Sequence, residues 1–367
     1  MININELTLE EKIGQMFMVG LQRTDAVQKI DDLINKDKVG GFIIYKRNYK
    51  DYKSMIEFVN NIKEKNKQNK VPLFISIDQE GGRVNRMPSE ISNIKSATKI
   101  ANTKNMELVK RSGKIIGNML RKTGVFMDYA PTLDIKRFNE EHAIGDRCFG
   151  ENKDDVSKYG IEVMKQMQQE KVIPVIKHFP GHGATQKDSH FKIPKVTQKI
   201  QELEQNDMAV FENAIKQGAD AIMVGHLIVK DVDKVHPASL SKKIINKYLI
   251  EKYNYKGLII TDDLKMMAVR LRYSMKKATF KALEAGNDIV MIGLSYNRIK
   301  AVIKYITKKV ETGKISEERI NRSVEKILKM KEKYNINDNK VEGFEVDKIN
   351  KEIDFLNKEV EDLNKKA

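Results

Sequence analysis

The chain has 367 residues, with 67 Lys and Arg against 51 Asp and Glu, so its formal charge at pH 7 is +16. That length suits either two average domains or one large α/β barrel with an extension. Apolar residues make up 40% of the chain, which excludes a disordered protein, and the single cysteine, Cys148, excludes a disulfide scaffold and a cysteine-based zinc site.

The sequence carries no signal for a membrane or for secretion. No apolar run approaches the roughly 18 residues of a membrane helix. The first residues, MININELTLEEKIGQ, lack the basic start and the apolar stretch of a signal peptide. We therefore expect a cytoplasmic protein that makes no membrane contact.

The positive charge is a reason to consider nucleic-acid binding. However, the lysines are scattered, as at Lys63, Lys65, Lys67 and Lys70, and they are interleaved with Asn, Gln and Glu. No basic cluster carries interleaved aromatic residues, and no zinc-finger or RNP signature is present. A nucleic-acid binder therefore stays a minor alternative.

In chain order, short β-type runs alternate with stretches of helical period. The first helix opens with a capping box, in which Thr8 precedes Glu11 by three residues. Eight runs predict strands, at residues 17–20, 40–45, 73–78, 125–130, 172–179, 221–227, 257–263 and 288–293. Further helices are predicted at residues 50–65, 105–122, 154–171, 199–217, 241–252, 274–285, 295–311 and 316–334.

This alternation requires crossover connections and therefore parallel strand pairing. Eight strand–helix units in about 300 residues are typical of a closed barrel rather than of an open sheet. We predict an α/β protein, with a TIM-type (β/α)8 barrel at residues 1–334 as a single catalytic domain.

Residues 335–367 differ from the rest of the chain. A polar break at residues 335–339 precedes apolar residues that recur every three or four positions from Val346 to Leu363, which predicts an amphipathic helix. From residue 338 on, the net charge is −3. We expect this C-terminal helical extension to pack on the basic barrel, with a coiled-coil partner site as the alternative.

Active sites of such barrels lie in the loops that follow the carboxyl ends of the strands. In this chain those loops are rich in charged side chains, and all six histidines lie at predicted strand ends or in loops. Titratable groups that share one cleft are what acid–base chemistry requires. The sequence therefore predicts an active site at this end of the barrel.

Two chemistries fit these residues. In a metal hydrolase, four side chains would supply nitrogen and oxygen ligands: His178, His182, Asp188 and His190. In a metal-free group transfer, Asp262 at a strand end would be the nucleophile. A mobile loop would then bring His190 as general acid and base, with Asp188 orienting its imidazole.

Seven segments form an ordered set of motifs. They are Asp78 to Arg86 (DQEGGRVNR), Ile144 to Gly150 (IGDRCFG), Lys177 to Gly183 (KHFPGHG), Asp188 to His190 (DSH), Pro237 to Ser241 (PASLS), Ile259 to Leu264 (IITDDL) and Ala285 to Asp288 (AGND). In order and spacing across the whole barrel, they resemble the NagZ-type β-N-acetylglucosaminidases of glycoside hydrolase family 3. Cys148 stands where the family motif has Ser.

The resemblance implies a function. Such enzymes hydrolyse terminal β-linked N-acetylglucosamine from peptidoglycan fragments with retention, through a glycosyl-enzyme intermediate. It implies Asp262 as the nucleophile, His190 as the acid and base, and Asp188 as the partner of His190. The residues that align with groups holding the sugar hydroxyls are Asp78, Arg86, Arg147, Lys177 and His178.

The residue types suit a retaining mechanism, which needs a carboxylate on one face of the anomeric carbon and a proton donor toward the other. Imidazole titrates near neutral pH, so His190 can donate a proton and later accept one. Of Asp262 and Asp263, only one can face the sugar, because neighbouring strand residues point opposite ways. We expect Gly181 and Gly183 to let the loop of His190 move.

Further expectations concern the source of the acid and the supporting residues. Family members with a second α/β domain place a glutamic acid there, whereas this chain ends 33 residues after the predicted barrel, so we expect the acid to come from the barrel loops. We expect Asp134 to cap the segment that follows it, and Arg83 to pair with Glu80.

The sequence therefore predicts a β-N-acetylglucosaminidase without metal or other cofactor, acting in the cytoplasm as a monomer on muropeptides in peptidoglycan recycling. A phosphorylase on the same scaffold is the runner-up, because the rim is basic and a histidine acid does not repel phosphate. A non-catalytic sugar-binding barrel and a nucleic-acid binder are the alternatives from another class.

Overall fold

The computed structural model of the chain describes residues 2–21, 27–137, 144–185 and 193–366. Within these ranges the strands are β1 (Phe17–Gly20), β2 (Gly41–Ile43), β3 (Phe74–Ile77), β4 (Met127–Asp128), β5 (Ile173–Phe179), β6 (Lys195–Val196), β7 (Ala221–Val224), β8 (Ile228–Val229), β9 (Leu258–Thr261) and β10 (Val290–Ile292). Each of the eight predicted runs contains one strand of the larger sheet.

This larger sheet is parallel and closes on itself. Its neighbours follow the order β10-β1-β2-β3-β4-β5-β7-β9, and a parallel bridge between Ile260 and Ile289 joins the two ends of that order. Across the same seam, the backbone N–H of Thr261 donates to the carbonyl of Ile289 at 3.1 Å. The predicted (β/α)8 barrel is therefore confirmed.

Helices follow the strands and cover the outside of the barrel. They are α1 (Leu9–Gln15), α2 (Val27–Asn35), α3 (Tyr52–Asn66), α4 (Ala97–Asn102), α5 (Met106–Lys122), α6 (Lys153–Asp155), α7 (Ile161–Gln169), α8 (Ile200–Gln205), α9 (Asp207–Lys216), α10 (Lys242–Ile244), α11 (Met267–Arg270), α12 (Met275–Ala285), α13 (Tyr296–Glu311), α14 (Glu317–Lys333) and α15 (Val346–Asn364). Val156–Gly160 and Ile245–Lys252 continue α6 and α10 as π-helical turns. In the part of the chain described, none of these helices has both the length and the apolar character needed to cross a bilayer.

Both faces of the barrel strands are buried, because side chains fill the interior and helices cover the exterior. Every residue of β1, β3, β5, β7 and β9 is buried. For this reason the strands read in the sequence as continuous apolar runs, such as FMVG, rather than as an alternation of apolar and polar residues.

The sequence does not predict the second sheet, a parallel pair of β6 and β8. Lys195 pairs there with Ile228, and Val196 pairs with Val229. Two residues are too few for a periodicity to be visible in the sequence. The pair ties the segment before α8 to the loop that follows β7.

The C-terminal helix, α15, packs on the outside of the barrel against α4 and α5. Its apolar stripe, formed by Ile349, Ile353, Leu356 and Val360, is buried and joins the main hydrophobic core. Of the two roles expected for this helix, packing on the barrel is therefore the one that the structure shows.

Lys331 of α14 enters the amino end of the barrel, where its side chain is buried. Its ammonium group donates hydrogen bonds to Gln15 Oε1 at 2.7 Å, to the Gly40 carbonyl at 3.1 Å and to the Pro72 carbonyl at 2.6 Å. These acceptors lie just before β1, β2 and β3, so one side chain ties α14 to three adjacent strands. Burial lowers the pKa of Lys331 to about 7.

We predict that Lys331→Met lowers the free energy of unfolding by about 2–4 kcal/mol, because three acceptors lose their common donor. Lys329→Met, at an exposed position of the same helix, is the matched control and should change that free energy by less than about 0.5 kcal/mol. Urea titrations of both variants and of the wild type measure the effect. Equal stabilities of the two variants would contradict the role given to Lys331.

Candidate active site

A cleft of about 470 Å³ opens at the carboxyl end of the barrel. Six of the side chains predicted for the site line it: Asp78, Arg86, Arg147, Lys177, His178 and Asp262. A larger groove, of about 700 Å³, lies between α5 and α15 and contains none of these six. The fold thus brings residues from the ends of three strands, β3, β5 and β9, and from the loop after β4, to one place.

The buried carboxylate of Glu80 organises the centre of this cleft. Arg147 binds it with two hydrogen bonds, from Nη2 to Oε1 at 2.8 Å and from Nε to Oε2 at 2.9 Å. Lys177 Nζ lies 2.6 Å from Glu80 Oε1 and 2.8 Å from Asp78 Oδ1. The hydroxyl of Thr132 donates to Glu80 Oε2 at 3.2 Å. One carboxylate therefore fixes the orientation of two cationic side chains.

These ion pairs keep the cluster charged although it is buried. Burial by itself would raise the pKa of Glu80, but Arg147 and Lys177 outweigh burial and hold that pKa well below its usual range. Burial would likewise lower the pKa of Lys177, and the carboxylates of Asp78 and Glu80 instead raise it above its ordinary value. The cleft therefore presents fixed charges at neutral pH.

The expectation that Arg83 pairs with Glu80 is wrong, because the Glu80 carboxylate is bound by Arg147 and Lys177. Arg83 Nε lies 3.3 Å from Asp146 Oδ1 instead. The role of Glu80 had a signal in the sequence, namely its spacing of two residues from Asp78, which directly follows β3. In an extended chain, side chains two residues apart point the same way, so Glu80 follows Asp78 into the cleft.

Asp134 holds His178, so the expectation that it caps a following segment is wrong. Its Oδ2 accepts a hydrogen bond from His178 Nδ1 at 2.7 Å. Its Oδ1 accepts from the backbone N–H groups of His182 at 2.6 Å and of His178 at 3.3 Å. Burial would raise the pKa of Asp134, but His178 outweighs burial and lowers it. A carboxylate on Nδ1 fixes the ring of His178 and leaves Nε2 for the cleft.

His182 precedes the predicted acid, His190, by eight residues in the chain. Its ring is buried, with Nδ1 3.3 Å from Thr185 Oγ1. Burial, together with the neighbouring His178, lowers the pKa of His182 to about 4, so the ring is neutral at neutral pH. A Cβ at Gly183 would lie 1.9 Å from the carbonyl oxygen of Ile135. Close packing therefore requires glycine at this position, and the expected movement of the loop stays a prediction.

The two carboxylates that follow β9 both border the cleft but have different surroundings. Asp263 Oδ1 accepts hydrogen bonds from the backbone N–H groups of Lys265 at 2.9 Å and of Gly293 at 3.0 Å, and burial raises the pKa of Asp263. Asp262 Oδ1 accepts from the N–H of Asp263 at 2.7 Å. Two backbone donors from different segments thus give the Asp263 carboxylate a structural role, and Asp262 stays the candidate that the sequence predicts for chemistry.

His226, to which the sequence assigns no role, supports this strand end. Its Nε2 lies 3.0 Å from the carbonyl oxygen of Asp263, and its Nδ1 lies 2.7 Å from Ser239 Oγ. Because a carbonyl only accepts, Nε2 carries the proton, and Nδ1 accepts from the hydroxyl of Ser239. Burial lowers the pKa of His226, which keeps the ring neutral. The ring therefore links the loops that follow β7 and β9.

His190, the predicted acid, and its partner Asp188 lie outside the described residues, and so does His142. The metal-hydrolase alternative also needs Asp188 and His190. Among the residues that are described, no three His, Cys, Asp or Glu side chains come together as a metal site. His236, whose Nδ1 lies 3.3 Å from Asp233 Oδ2, does not line the cleft.

Comparison with known proteins shows which protein family this barrel belongs to. The chain matches the family model for the glycosyl hydrolase family 3 N terminal domain over residues 8–330. Beta-hexosaminidase A of Pseudoalteromonas piscicida is 29% identical over 336 residues, which cover 83% of this chain and 55% of that protein. The beta-hexosaminidase LpqI of Mycobacterium tuberculosis is 32% identical over 267 residues, which cover 71% of this chain and 68% of that protein. The chain therefore spans about half to two thirds of the length of these relatives.

Solved structures show the same similarity. A glycoside hydrolase family 3 beta-N-acetylglucosaminidase from Paenibacillus superposes with a TM-score of 0.88 and 32% identity, covering 95% of this chain and 68% of that chain. A glycosyl hydrolase of the same family from Mycobacterium smegmatis superposes with a TM-score of 0.82 and 29% identity, covering 90% of this chain and 98% of that chain.

The closed barrel gathers carboxylates and cations at the carboxyl ends of its strands, which is where enzymes of this fold have their active sites. With the family model matching most of its length, the chain belongs to glycoside hydrolase family 3.

We predict that His182 makes the stability of the protein depend on pH between about 6.5 and 4. In this window the unfolded chain binds a proton at His182 that the folded protein does not, so the free energy of unfolding falls as the pH falls, by about 3 kcal/mol in total. Urea titrations across this window should show a shallower decline for His182→Asn than for the wild type. His226, whose pKa burial also lowers, is present in both proteins and cancels in the comparison. Parallel curves would contradict the prediction.

Proposed function

We propose that this protein is a retaining exo-β-N-acetylglucosaminidase that forms its glycosyl-enzyme on Asp262. The observation that carries this proposal is the position of Asp262, a carboxylate at the end of β9 that borders a cleft rich in charged hydrogen-bonding groups. The family and the hexosaminidase names of the relatives support the acetamido sugar as the substrate class.

The charged side chains that line the cleft together with Asp262 suit a sugar. Asp78 can accept hydrogen bonds from hydroxyl groups, and Arg86, Arg147 and Lys177 can donate to hydroxyl oxygens. Charge-assisted hydrogen bonds are about twice as strong as neutral ones, and the planar guanidinium fork adds orientation. We assign His178 to the same task, because Asp134 fixes its ring and its Nε2 is left for the ligand.

In the first step, a carboxylate oxygen of Asp262 forms a bond to the anomeric carbon as the bond to the leaving oxygen breaks. We propose that His190, oriented by Asp188, gives its proton to that oxygen. In the second step, His190 takes a proton from water as the water oxygen attacks the anomeric carbon and releases Asp262. The two inversions give overall retention, and the same imidazole acts first as acid and then as base.

The natural substrate and setting are a further part of the proposal. We place the activity on muropeptide fragments of peptidoglycan, in cell-wall recycling in the cytoplasm, with residues 1–334 as the catalytic domain acting as a monomer without cofactor. The support is the sequence resemblance to NagZ-type enzymes together with the hexosaminidase names of the relatives.

The test is the release of nitrophenol from para-nitrophenyl β-N-acetylglucosaminide and from the matching β-glucoside, in EDTA, with and without phosphate. We expect EDTA-resistant turnover of the acetamido sugar alone, and its loss in Asp262→Asn. Acceleration by phosphate with formation of the sugar 1-phosphate would indicate a phosphorylase, and inhibition by EDTA a metal hydrolase. Failure to turn over either this substrate or a muropeptide would overturn the proposal.

The role of the acid can be separated from that of a binding residue. We predict that His190→Ala lowers kcat by about 10²–10⁴-fold on a substrate with a poor leaving group and by less on the nitrophenyl glycoside, which leaves without a proton. Azide should restore turnover by attacking the glycosyl-enzyme, and the product should be the β-glycosyl azide.

His178→Ala is the matched control for this prediction. It should lower kcat/KM equally on both substrates, and azide should not restore it, because His178 is assigned to binding. Azide rescue of the His178 variant, with none for the His190 variant, would move the acid role to His178. The chromatographic yield of glycosyl azide decides between the two.

A further inference from the structure

Three asparagines form a row on one face of α15, at positions 350, 357 and 364. A spacing of seven residues is close to two helical turns, so their side chains point the same way. The row faces α4 and the segment that connects the loop after β3 to α4. It stands beside the apolar stripe that docks α15 on the barrel.

Two of these asparagines bind the backbone of residues 90–95 in the same manner. Asn350 Nδ2 donates to the Glu90 carbonyl at 2.8 Å, and Asn350 Oδ1 accepts from the N–H of Ser92 at 2.8 Å. Three residues further along the segment, the pattern repeats.

Asn357 Nδ2 donates to the Asn93 carbonyl at 2.9 Å, and Asn357 Oδ1 accepts from the N–H of Lys95 at 3.0 Å. In both cases one amide satisfies a carbonyl and an N–H two residues apart, which is the match of donor and acceptor that a carboxamide offers to a peptide backbone. The two side chains therefore hold the path of residues 90–95.

Residues 90–95 in turn hold the glycine turn of the cleft loop. The N–H of Gly82 donates to the Ile94 carbonyl at 2.7 Å, and Asn93 Nδ2 donates to the Gly82 carbonyl at 2.7 Å. Gly82 has φ +54, and a Cβ there would lie 2.6 Å from Ser96 Cβ. The turn therefore packs directly against the segment that α15 binds.

The glycine turn sets the positions of the charged groups on either side of it. The N–H of Glu80 donates to the Val84 carbonyl at 3.0 Å, which closes the turn. The N–H of Arg86 donates to Gln79 Oε1 at 2.8 Å. Glu80 before the turn and Arg86 after it thus depend on one compact loop.

We propose that Asn350 and Asn357 are positioning residues for sugar binding, acting through residues 90–95 on the loop of residues 78–86. This inference rests on the proposed function, because the loop supplies Asp78 and Arg86 to the sugar. It gives the C-terminal helix a part in the active site, although α15 packs on the outside of the barrel.

The experiment compares the Asn350→Ala, Asn357→Ala double variant with Asn364→Ala in the full chain. Asn364 lies on the same helix and in the same row, but its Nδ2 donates to the Lys99 carbonyl in α4 at 2.8 Å and not to residues 90–95. The buried stripe from Ile349 to Val360 is intact in all variants, so the helix should stay docked.

In the double variant we expect faster hydrogen–deuterium exchange in residues 82–95. KM for the nitrophenyl N-acetylglucosaminide should rise on the order of tenfold, with kcat changed less, because misplaced binding groups weaken substrate binding. The Kd of N-acetylglucosamine, measured by calorimetry, should rise in parallel. Asn364→Ala should leave all three quantities at their wild-type values.

Asn357→Asp provides a further check, because it keeps the acceptor for the N–H of Lys95 but places a carboxylate oxygen against the Asn93 carbonyl, which repels it. Its KM should rise at least as far as that of Asn357→Ala. An unchanged KM and Kd in the double variant would overturn the inference, and so would an equal rise in Asn364→Ala. If the wild type binds N-acetylglucosamine without hydrolysing its glycoside, the proposed function fails. The ratio of the Kd of the double variant to the Kd of the wild type then still decides the inference. If it neither binds nor hydrolyses, both fail.

Discussion

The geometry of the cleft depends on the buried carboxylate of Glu80. It comes from the loop after β3, and it binds Lys177 of β5 and Arg147 of the loop after β4. In the protein interior an unpaired charge is either neutralised or strongly destabilising, so the anion and the two cations require one another. One carboxylate thereby holds together the ends of three consecutive barrel strands and the charges that surround the ligand.

The same principle recurs around the rest of the site. Asp134 orients His178, backbone N–H groups hold Asp263, and His226 links the loops on which Asp263 and Ser239 lie. In each case a buried polar group with satisfied hydrogen bonds supports a part of the cleft wall. Side chains held in this way lose little further freedom when a ligand binds, which is how a rigid site favours both binding and reaction.

Much of the fold could be predicted, because its signals are local. Barrel strands are buried on both faces and read as short apolar runs, and the helices between them have an apolar stripe. The candidate site could be predicted in part for the same reason, since residues that follow a strand must lie at its end. Asp78 and Asp262 are of this kind, and Lys177 lies near the carboxyl end of β5. The sequence does not predict β6 and β8, because a strand of two residues is too short to show an alternation of apolar and polar side chains.

The sequence by itself determined the order of the eight barrel strands, their closure into a parallel barrel, and polar residues such as Asp78 and Asp262 that reach its carboxyl end. Only the tertiary structure decided the partners: Arg147 for Glu80, the His178 ring for Asp134, and residues 90–95 for Asn350 and Asn357. The physical reason is that periodicity reports which face of an element is buried, whereas a hydrogen bond or ion pair depends on distances between segments far apart in the chain. Those distances exist only once the barrel has closed.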